Sequence, residues 1–182
     1  MKYTNADIKN LSPKLKEIVK KNLSYVDVKE QYSDQSHKEP RFSKGLFLYG
    51  ITGSGKTYAL HAINNCALRG FNSSGVETWV EVLSEIKDRM SQNQSSKYTI
   101  DAITSKEFVF LDDVGAEKQT DWVQENLYLL VDRCYRYEKT LFISTNLTIQ
   151  EFSERYGDRL LSRLGEMCEL YEMEAVDRRI TQ

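Results

Sequence analysis

The chain has 182 residues and a formal net charge of −2 at pH 7. This length suits one domain with a sizeable core and is too short for two large ones. Hydrophobic residues make up 40% of the chain and charged residues 29%, which is typical of a globular protein in water. The balance of charge excludes a generally basic nucleic-acid-binding protein, so a contact with DNA would need a local patch of lysine and arginine.

The three cysteines, Cys66, Cys134 and Cys168, lie far apart within apolar patterns. We interpret them as core thiols of a reducing compartment, and not as a disulfide framework or a metal site. No apolar run is long enough to span a bilayer, and residues 1–10 lack the apolar core of a signal peptide. We therefore expect a cytoplasmic protein with no membrane partner.

The first 41 residues are mostly polar and contain both prolines of the chain. Pro13 is expected to open a helix that continues over Lys14–Asn22, because proline suits the first helical turn. The stretch Gln31–Pro40 is interpreted as a linker. We expect residues 1–41 to form a short appendage without a core of its own, and residues 42–182 to form the main domain.

A phosphate-binding pattern follows. Leu46–Tyr49 suits a buried strand, and Tyr58–Leu68 has helical apolar spacing. Between them lie Gly50, Ile51, Thr52, Gly53, Ser54, Gly55, Lys56 and Thr57. A glycine-rich turn that ends in Gly-Lys-Thr between a strand and a helix is the P-loop pattern, in which backbone N–H groups bind phosphate oxygens at the positive end of the helix. We expect Lys56 to reach the β- and γ-phosphates and the Thr57 hydroxyl to bind Mg²⁺.

The next elements are predicted as a strand over Val76–Val80, a helix over Glu81–Met90 and a polar loop over Ser91–Tyr98. Four apolar residues and two acids then form the run Phe108–Asp113. Such a strand delivers carboxylates to its C-terminal end, as in the Walker B motif. Asp112 is expected to hold Mg²⁺ through water, and Asp113 stands where a general base would activate the attacking water.

The last third of the chain continues the alternation. Helices are predicted over Asp121–Tyr137, Ile149–Tyr156 and Leu160–Met167, and strands over Leu141–Asn146 and Cys168–Met173. Asn146 would lie near the γ-phosphate if its strand neighbours the P-loop strand; the alternative is that it is only a turn residue.

Five strands alternating with helices predict an α/β P-loop NTPase with three layers, α/β/α, and a mostly parallel sheet. Ligands of such folds bind at the carboxyl ends of the strands. Three of those ends carry the P-loop, the Asp112–Asp113 pair and Asn146, which favours a nucleoside triphosphate site.

Four motifs occur in a familiar order: the P-loop, Leu111–Glu117, Ile143–Leu147 and Gly157–Leu164. Together they resemble the AAA+ ATPase domain of bacterial replicative helicase loaders of the DnaC/DnaI type, and of the related transposition helper IstB. The resemblance covers about Phe42–Arg179. It implies an AAA+ core without the full helical lid, ATP and Mg²⁺ as cofactors, and slow hydrolysis, because Asp113 replaces the longer glutamate of many AAA+ proteins.

The resemblance also implies roles for further residues. Asn146 matches the sensor-1 position, which contacts the γ-phosphate or the attacking water. Arg163 matches the arginine finger, which acts on the nucleotide of a neighbouring subunit, and Arg159 is the second candidate. Arg178 is a weaker match to a sensor-2 arginine.

In the loader branch, the region after the second strand helps to bind single-stranded DNA. Here that region offers the candidates Lys87, Arg89, Lys97 and Tyr98. The implied partners are other copies of the chain in an ATP-dependent oligomer, a replicative DNA helicase and single-stranded DNA. The implied function is ATP-dependent helicase loading in DNA replication.

Two alternatives remain open from the sequence. The chain could be an IstB-like transposition helper or a nucleotide-dependent interaction switch with little turnover. It could also be a P-loop kinase of small molecules, although that class needs a lid with several arginines, which the segments between the predicted strands do not offer.

Overall fold

The computed structural model describes residues 3–29, 36–67, 73–93, 95 and 97–173. The strands are β1 Leu23–Lys29, β2 Ser36–Phe42, β3 Gly45–Tyr49, β4 Ser73–Thr78, β5 Phe108–Val114, β6 Thr140–Thr145 and β7 Cys168–Glu172. The helices are α1 Pro13–Asn22, α2 Lys56–Ala67, α3 Trp79–Ser91, α4 Lys97–Thr104, α5 Asp121–Arg136, α6 Ile149–Tyr156 and α7 Asp158–Met167.

The five strands β3 to β7 form one sheet in the order β4-β5-β6-β3-β7, and every neighbouring pair is parallel. This confirms the predicted five-stranded parallel sheet. Thr145 at the end of β6 is in register with Tyr49 of β3 on one side and with Val114 of β5 on the other. The segments that follow these three strands therefore leave the sheet side by side, at the edge where the site is expected.

Alternate residues of the central strands face opposite layers. Phe47, Leu111 and Ile143 pack in a core formed with α3 to α7. Leu48 and Phe110 pack in a second core, formed with α1 and α2 on the other face. Both faces of the sheet are thus covered by helices, as parallel sheets require, and the three-layer α/β/α architecture is confirmed.

Helix α1 belongs to the second layer. Ser12 caps it by accepting a hydrogen bond from the Leu15 N–H at 3.3 Å, and Pro13 is its first residue, as predicted. Leu15 and Val19 are fully or almost fully buried in the same core as Leu60 of α2. The boundary expected at residue 41 stays a prediction, but the residues before it contribute to the core of the sheet.

Strands β1 and β2 form an antiparallel two-stranded sheet in which Leu23 pairs with Phe42 and Tyr25 pairs with Pro40. The linker prediction is therefore wrong for Ser36–Pro40. Within the described residues β2 pairs with β1 alone. Its polar sequence lacks the continuous apolar run of a strand buried on both faces, so the pattern did not predict a strand.

The segment after α2 also differs from the prediction. Strand β4 ends at Thr78. The Thr78 hydroxyl accepts a hydrogen bond from the Glu81 N–H, and the Glu81 carboxylate accepts one from the Thr78 N–H. This capping box starts α3 at Trp79, so Trp79 and Val80 are helical and not part of a strand. Helix α4 begins at Lys97, within the predicted loop, and its short amphipathic pattern was missed.

Cys134 and Cys168 are buried free thiols, as predicted for core cysteines. Arg178 and the side chain of Cys66 lie outside the described residues. Among the helices that are described, each is too short or too polar to cross a bilayer.

Candidate functional site

The P-loop joins β3 to α2 and closes on itself. The Ser54 hydroxyl donates to the Ile51 carbonyl at 2.8 Å. Gly53 has φ 84° and Gly55 has φ 98°, values that residues with a Cβ rarely adopt. These conformations are typical of a loop whose N–H groups converge on an anion, so the local geometry agrees with the pattern that predicted the loop.

Lys56 is the first residue of α2 and only 5% exposed. Its ammonium donates to the carbonyls of Gly50 and Ile51, both at 2.7 Å, and to the Ser54 hydroxyl at 3.3 Å. The side chain therefore folds across its own loop. A buried ammonium needs such partners, and they hold its positive charge beside the glycines.

The carboxylates at the end of β5 are joined to β6 by one hydroxyl. Ser144 donates to the buried Asp112 carboxylate and accepts from the Asp113 N–H at 3.1 Å. Asn146 Nδ2 donates to Asp113 Oδ1 at 2.7 Å. The structure thus brings together Asp112, Asp113 and Asn146, which were predicted separately. Ser144 was missed, although a hydroxyl inside an apolar strand is a signal that could have found it.

A cavity of about 430 Å³ lies at this edge of the sheet. The residues that line it come from the P-loop, from the ends of β5 and β6, and from the N-terminal segment: Tyr3, Asn10, Thr52, Gly53, Gly55, Lys56, Thr57, Tyr58, Asp113 and Asn146. Asp112 is not in the lining, because its carboxylate is buried against Ser144. The predicted loop and Asp113 therefore share one cavity of a size that suits a small ligand.

The N-terminal side of this cavity was not predicted. The Tyr58 hydroxyl accepts from the Asp7 N–H at 3.1 Å and from Asn10 Nδ2 at 3.0 Å. Tyr3 stacks on His61 with ring centroids 4.9 Å apart. Tyr58 and His61 lie on α2, about fifty residues along the chain from their partners, and no local pattern reveals such contacts.

The pKa of His61 is influenced by burial and by the charge of Asp112. Partial burial lowers the pKa of its imidazole, and the charge of Asp112 partly offsets that effect by raising it. The net effect of burial and charge leaves the pKa of His61 below its ordinary value.

Arg163 and Arg159 lie on α7 and do not line the cavity. Arg163 forms an ion pair with the buried Asp132 of α5, and its guanidinium lies 4.9 Å from the Tyr128 ring centroid. Arg159 is exposed, with its guanidinium 5.3 Å from the same ring. Within one copy of the chain, neither arginine is placed to meet a ligand in the cavity.

The four candidates for single-stranded DNA lie on α3 and α4. The Lys87 ammonium lies 5.2 Å from the Trp122 ring centroid, and Arg89 pairs with Glu85 at 2.7 Å. Lys97 is exposed, and Tyr98 is 62% exposed. Acidic residues lie before and between these cations, at Glu77, Glu81, Glu85 and Asp88. Compared with Lys87 and Arg89, Lys97 and Tyr98 are therefore more accessible for a contact with DNA.

Comparisons with known proteins agree with the fold. Over 146 residues the chain is 30% identical to the replicative helicase loader DnaI of Bacillus subtilis (strain 168). The aligned region covers 79% of this chain and 45% of DnaI. The fold superposes on AMPPCP-bound DnaA from Aquifex aeolicus with a TM-score of 0.72 at 19% identity, covering 94% of this chain and 50% of that one. The superposition on a replication initiator DnaA bound to AMPPCP and single-stranded DNA has a TM-score of 0.62 at 22% identity. It covers 73% of this chain and 41% of that one.

The chain spans about half the length of the curated relatives it matches. The resemblance to DnaC/DnaI-type loaders that the motifs indicated is confirmed by the DnaI relative. Residues 18–168 match the bacterial DnaA ATPase domain, which is most of the chain. The protein therefore belongs to the bacterial DnaA ATPase-domain family.

Proposed function

We propose that this chain binds ATP with Mg²⁺ in the cavity beside the P-loop and hydrolyses it. The observation that carries the proposal is the meeting of Lys56, Thr57, Asp113 and Asn146 in one cavity lining. These four residues come from three separate segments of the chain. The P-loop pattern does not by itself require Asp113 and Asn146 to lie beside it, so their position is a separate observation. Their chemistry supplies a cation, a hydroxyl, a carboxylate and an amide, which are the groups that phosphoryl transfer uses.

The residues present fit a triphosphate and its metal ion. The loop N–H groups and Lys56 would bind phosphate oxygens, and the Thr57 hydroxyl would bind Mg²⁺ together with Asp112 through water. No group of three or more His, Cys, Asp or Glu side chains within the described residues could hold a metal by itself. An ion here would take its other ligands from phosphate and water, and when bound it would neutralise negative charge on the β- and γ-phosphates.

Asp113 is the candidate base in this proposal. Its carboxylate borders the cavity, and Asn146 donates to one of its oxygens at 2.7 Å. The other oxygen can accept a proton from a water molecule, while the amide fixes the orientation of the carboxylate. Aspartate is one methylene shorter than glutamate, so we expect a longer reach to the water and slow turnover.

At the level of the cell, we propose an ATP-dependent role in DNA replication, as a loader that helps to place a replicative helicase on single-stranded DNA in the cytoplasm. Family membership and the DnaI relative support this role. A solved DnaA structure that is bound to AMPPCP and single-stranded DNA supports the proposal that ATP and single-stranded DNA are ligands of this chain. Lys97 would contact a phosphate and the exposed Tyr98 would stack on a base.

Arg163 would act in an oligomer of the chain. Because Asp132 holds it in the single chain, assembly would have to exchange this ion pair for the neighbour's phosphates. Asp132 also pairs with Arg136 at 2.7 Å, so the carboxylate would keep a cation after Arg163 moved. Arg159 is the second candidate, since it is exposed and would need only to leave the Tyr128 ring.

The central test measures ATP turnover by the purified protein with and without single-stranded DNA, beside Asp113→Asn. We expect turnover in the wild type, stimulation by single-stranded DNA, and a loss of about 100-fold or more in the variant. Capture of a replicative helicase from host extract would support the loader role. Equal turnover by Asp113→Asn would exclude Asp113 as the base, and a phosphorylated small-molecule product would overturn the proposal.

Mixing experiments test Arg163. If it acts on a neighbour's nucleotide, Arg163→Ala protein and Lys56→Ala protein, each inactive, should regain part of the activity when combined. Combining Arg159→Ala with Lys56→Ala gives the matched comparison for the second candidate. No recovery at any ratio for either pair would exclude an arginine finger from α7.

The second candidate function is a nucleotide-dependent switch with little turnover, as in an IstB-like transposition helper. The short Asp113 side chain, already bonded to Asn146, favours it. In that case the protein would retain ATP without hydrolysing it, and single-stranded DNA would leave the rate unchanged.

A further inference from the structure

Glu117 lies in the connection between β5 and α5, and its side chain is only 5% exposed. One carboxylate oxygen accepts from the Gly115 N–H at 2.9 Å. The other accepts from Arg155 Nη2 at 3.1 Å and from the Tyr156 hydroxyl, both near the end of α6. We call Gly115, Glu117, Arg155 and Tyr156 the Glu117 clasp. A carboxylate buried to this extent is stable only with such partners.

The clasp holds the turn that presents Asp113. Asp113 has φ 56°, an uncommon conformation for a residue with a side chain, and its carbonyl accepts from the Ala116 N–H at 3.2 Å. Gly115 has φ 101°, and a Cβ there would lie 2.7 Å from Leu147 Cδ1. The turn is thus closed by two N–H groups, one of which is held by Glu117. The direction of the Asp113 side chain depends on this turn.

The other end of the clasp lies on α6, the helix directly before α7. Gln119 and Gln124 donate to the Arg155 carbonyl, so the C-terminal end of α6 is tied to the segment that follows β5. Gly157 alone separates α6 from α7, which carries Arg159 and Arg163. Burial raises the pKa of Tyr156, and its bond to Glu117 adds to that effect, so the phenol stays a donor at neutral pH.

We propose that Glu117 is a positioning residue for ATP hydrolysis: its carboxylate fixes the Asp113 turn and ties the orientation of Asp113 to the place of α6 and α7. This inference rests on the proposed ATPase function. A shift of α7 when a neighbouring subunit binds would reach Asp113 through the clasp. Glu117 itself needs no contact with ATP.

The test compares wild type with Glu117→Gln. An amide has one acceptor oxygen, so it satisfies either Gly115 or the pair Arg155 and Tyr156, but not both. We expect kcat to fall about 10- to 100-fold, with the Kd for ATP changed less than about twofold. Amide hydrogen exchange at Gly115 and Ala116 should become faster. Tyr156→Phe, which removes one donor only, should show the same pattern with a smaller loss and covers the case in which Glu117→Gln does not fold.

Glu154→Gln is the control. Glu154 is exposed on α6, the helix that carries Arg155 and Tyr156, and its carboxylate accepts a hydrogen bond from Gln150 on the same helix. It should leave kcat, Kd and exchange unchanged. Unchanged kcat in both clasp variants of an active wild type overturns the inference, and so does a parallel loss of ATP affinity and stability, which would indicate a purely structural contact.

Failure of the proposed function is recognised separately, by a wild type that turns over no ATP. Hydrogen exchange then decides: faster exchange limited to residues 113–117 in Glu117→Gln supports the fixed turn, and unchanged exchange overturns it.

Discussion

Two of the walls of the cavity are formed in different ways. The P-loop wall consists of Thr52, Gly53, Gly55, Lys56 and Thr57, which are neighbours in sequence. The N-terminal wall consists of Tyr3 and Asn10, which the Tyr58 hydroxyl, the His61 ring and the buried face of α1 hold in place.

The first wall offers backbone N–H groups and an ammonium, which suit phosphate. The second offers an aromatic ring and an amide, which suit a nucleotide base. The difference teaches that the two walls are specified at different levels. In the proposed nucleotide site, the wall that would meet phosphate is specified by a local motif, whereas the wall that would face the base depends on packing between the N-terminal segment and α2. Four predictions test this difference.

The largest effect is expected at the P-loop wall. Lys56→Ala removes the cation beside the glycines, and we expect a loss of about 10³-fold in kcat/KM for ATP, which corresponds to about 4 kcal/mol. Steady-state hydrolysis measures it. The control is Lys20→Ala on the exposed face of α1, which should be neutral. A Lys56→Ala protein that retains more than a tenth of the activity would contradict the assignment.

The next effect concerns the anchor of the N-terminal wall. Leu15 is fully buried between α1 and α2, so Leu15→Ala should lower the free energy of unfolding by about 3 kcal/mol. Urea denaturation measures it. Leu170→Ala, at a side chain 37% exposed on β7, should lower it by less than about 1 kcal/mol. Equal losses would mean that residues 1–22 are only loosely attached.

A smaller effect is expected at Tyr58. Tyr58→Phe removes the hydroxyl that accepts from Asp7 and Asn10, so the free energy of ATP binding should weaken by about 1 kcal/mol, or roughly fivefold in Kd. Because the phosphate contacts remain, binding should weaken without being lost. Calorimetry with ATP measures the Kd. An unchanged Kd would remove the N-terminal wall from nucleotide binding.

The smallest effect concerns pH. Burial holds the pKa of His61 below its ordinary value of 6.5, so the unfolded chain takes up this proton at a higher pH than the folded one. Below pH 6.5 the unfolded state therefore binds more protons, and the stability that His61 contributes above pH 6.5 is lost as the pH falls through its folded pKa. Urea midpoints between pH 7.5 and 5.5 should fall less in His61→Phe than in the wild type. An NMR titration of His61 at or above 6.5 would contradict this.

The sequence was most informative where neighbours in the chain act together. The P-loop, the strand that ends in Asp112 and Asp113, and the strand before Asn146 were all predicted within a few residues of their observed bounds. Long apolar runs and glycine spacing are local properties, so they survive in a single sequence. The prediction failed for shorter and more polar elements, since β2 was predicted as a linker and α4 as a loop. Half-buried elements have only weak hydrophobic periodicity.

The sequence could also not reveal which groups hold the predicted residues in place. Ser144 joins Asp112 to Asp113 across two strands, and Glu117 joins the Asp113 turn to α6. Arg163 illustrates the same limit, since its motif names a role and only the fold shows its ion pair with Asp132. The contacts of Ser144 with Asp112 and Asp113, of Glu117 with Tyr156 and of Arg163 with Asp132 join residues 31 to 39 apart in the chain. That separation is beyond the range of any periodic pattern.

By itself the sequence determined the class of the fold and the end of the sheet that carries the cavity, and it predicted the residues that would meet phosphate, because each follows from local spacing and the geometry of parallel strands. The tertiary structure alone decided the N-terminal wall, the Ser144 bridge and the Glu117 clasp. Their side chains become neighbours only when the strand order β4-β5-β6-β3-β7 brings distant segments to one edge, and single hydrogen bonds between distant residues leave no repeat in the chain.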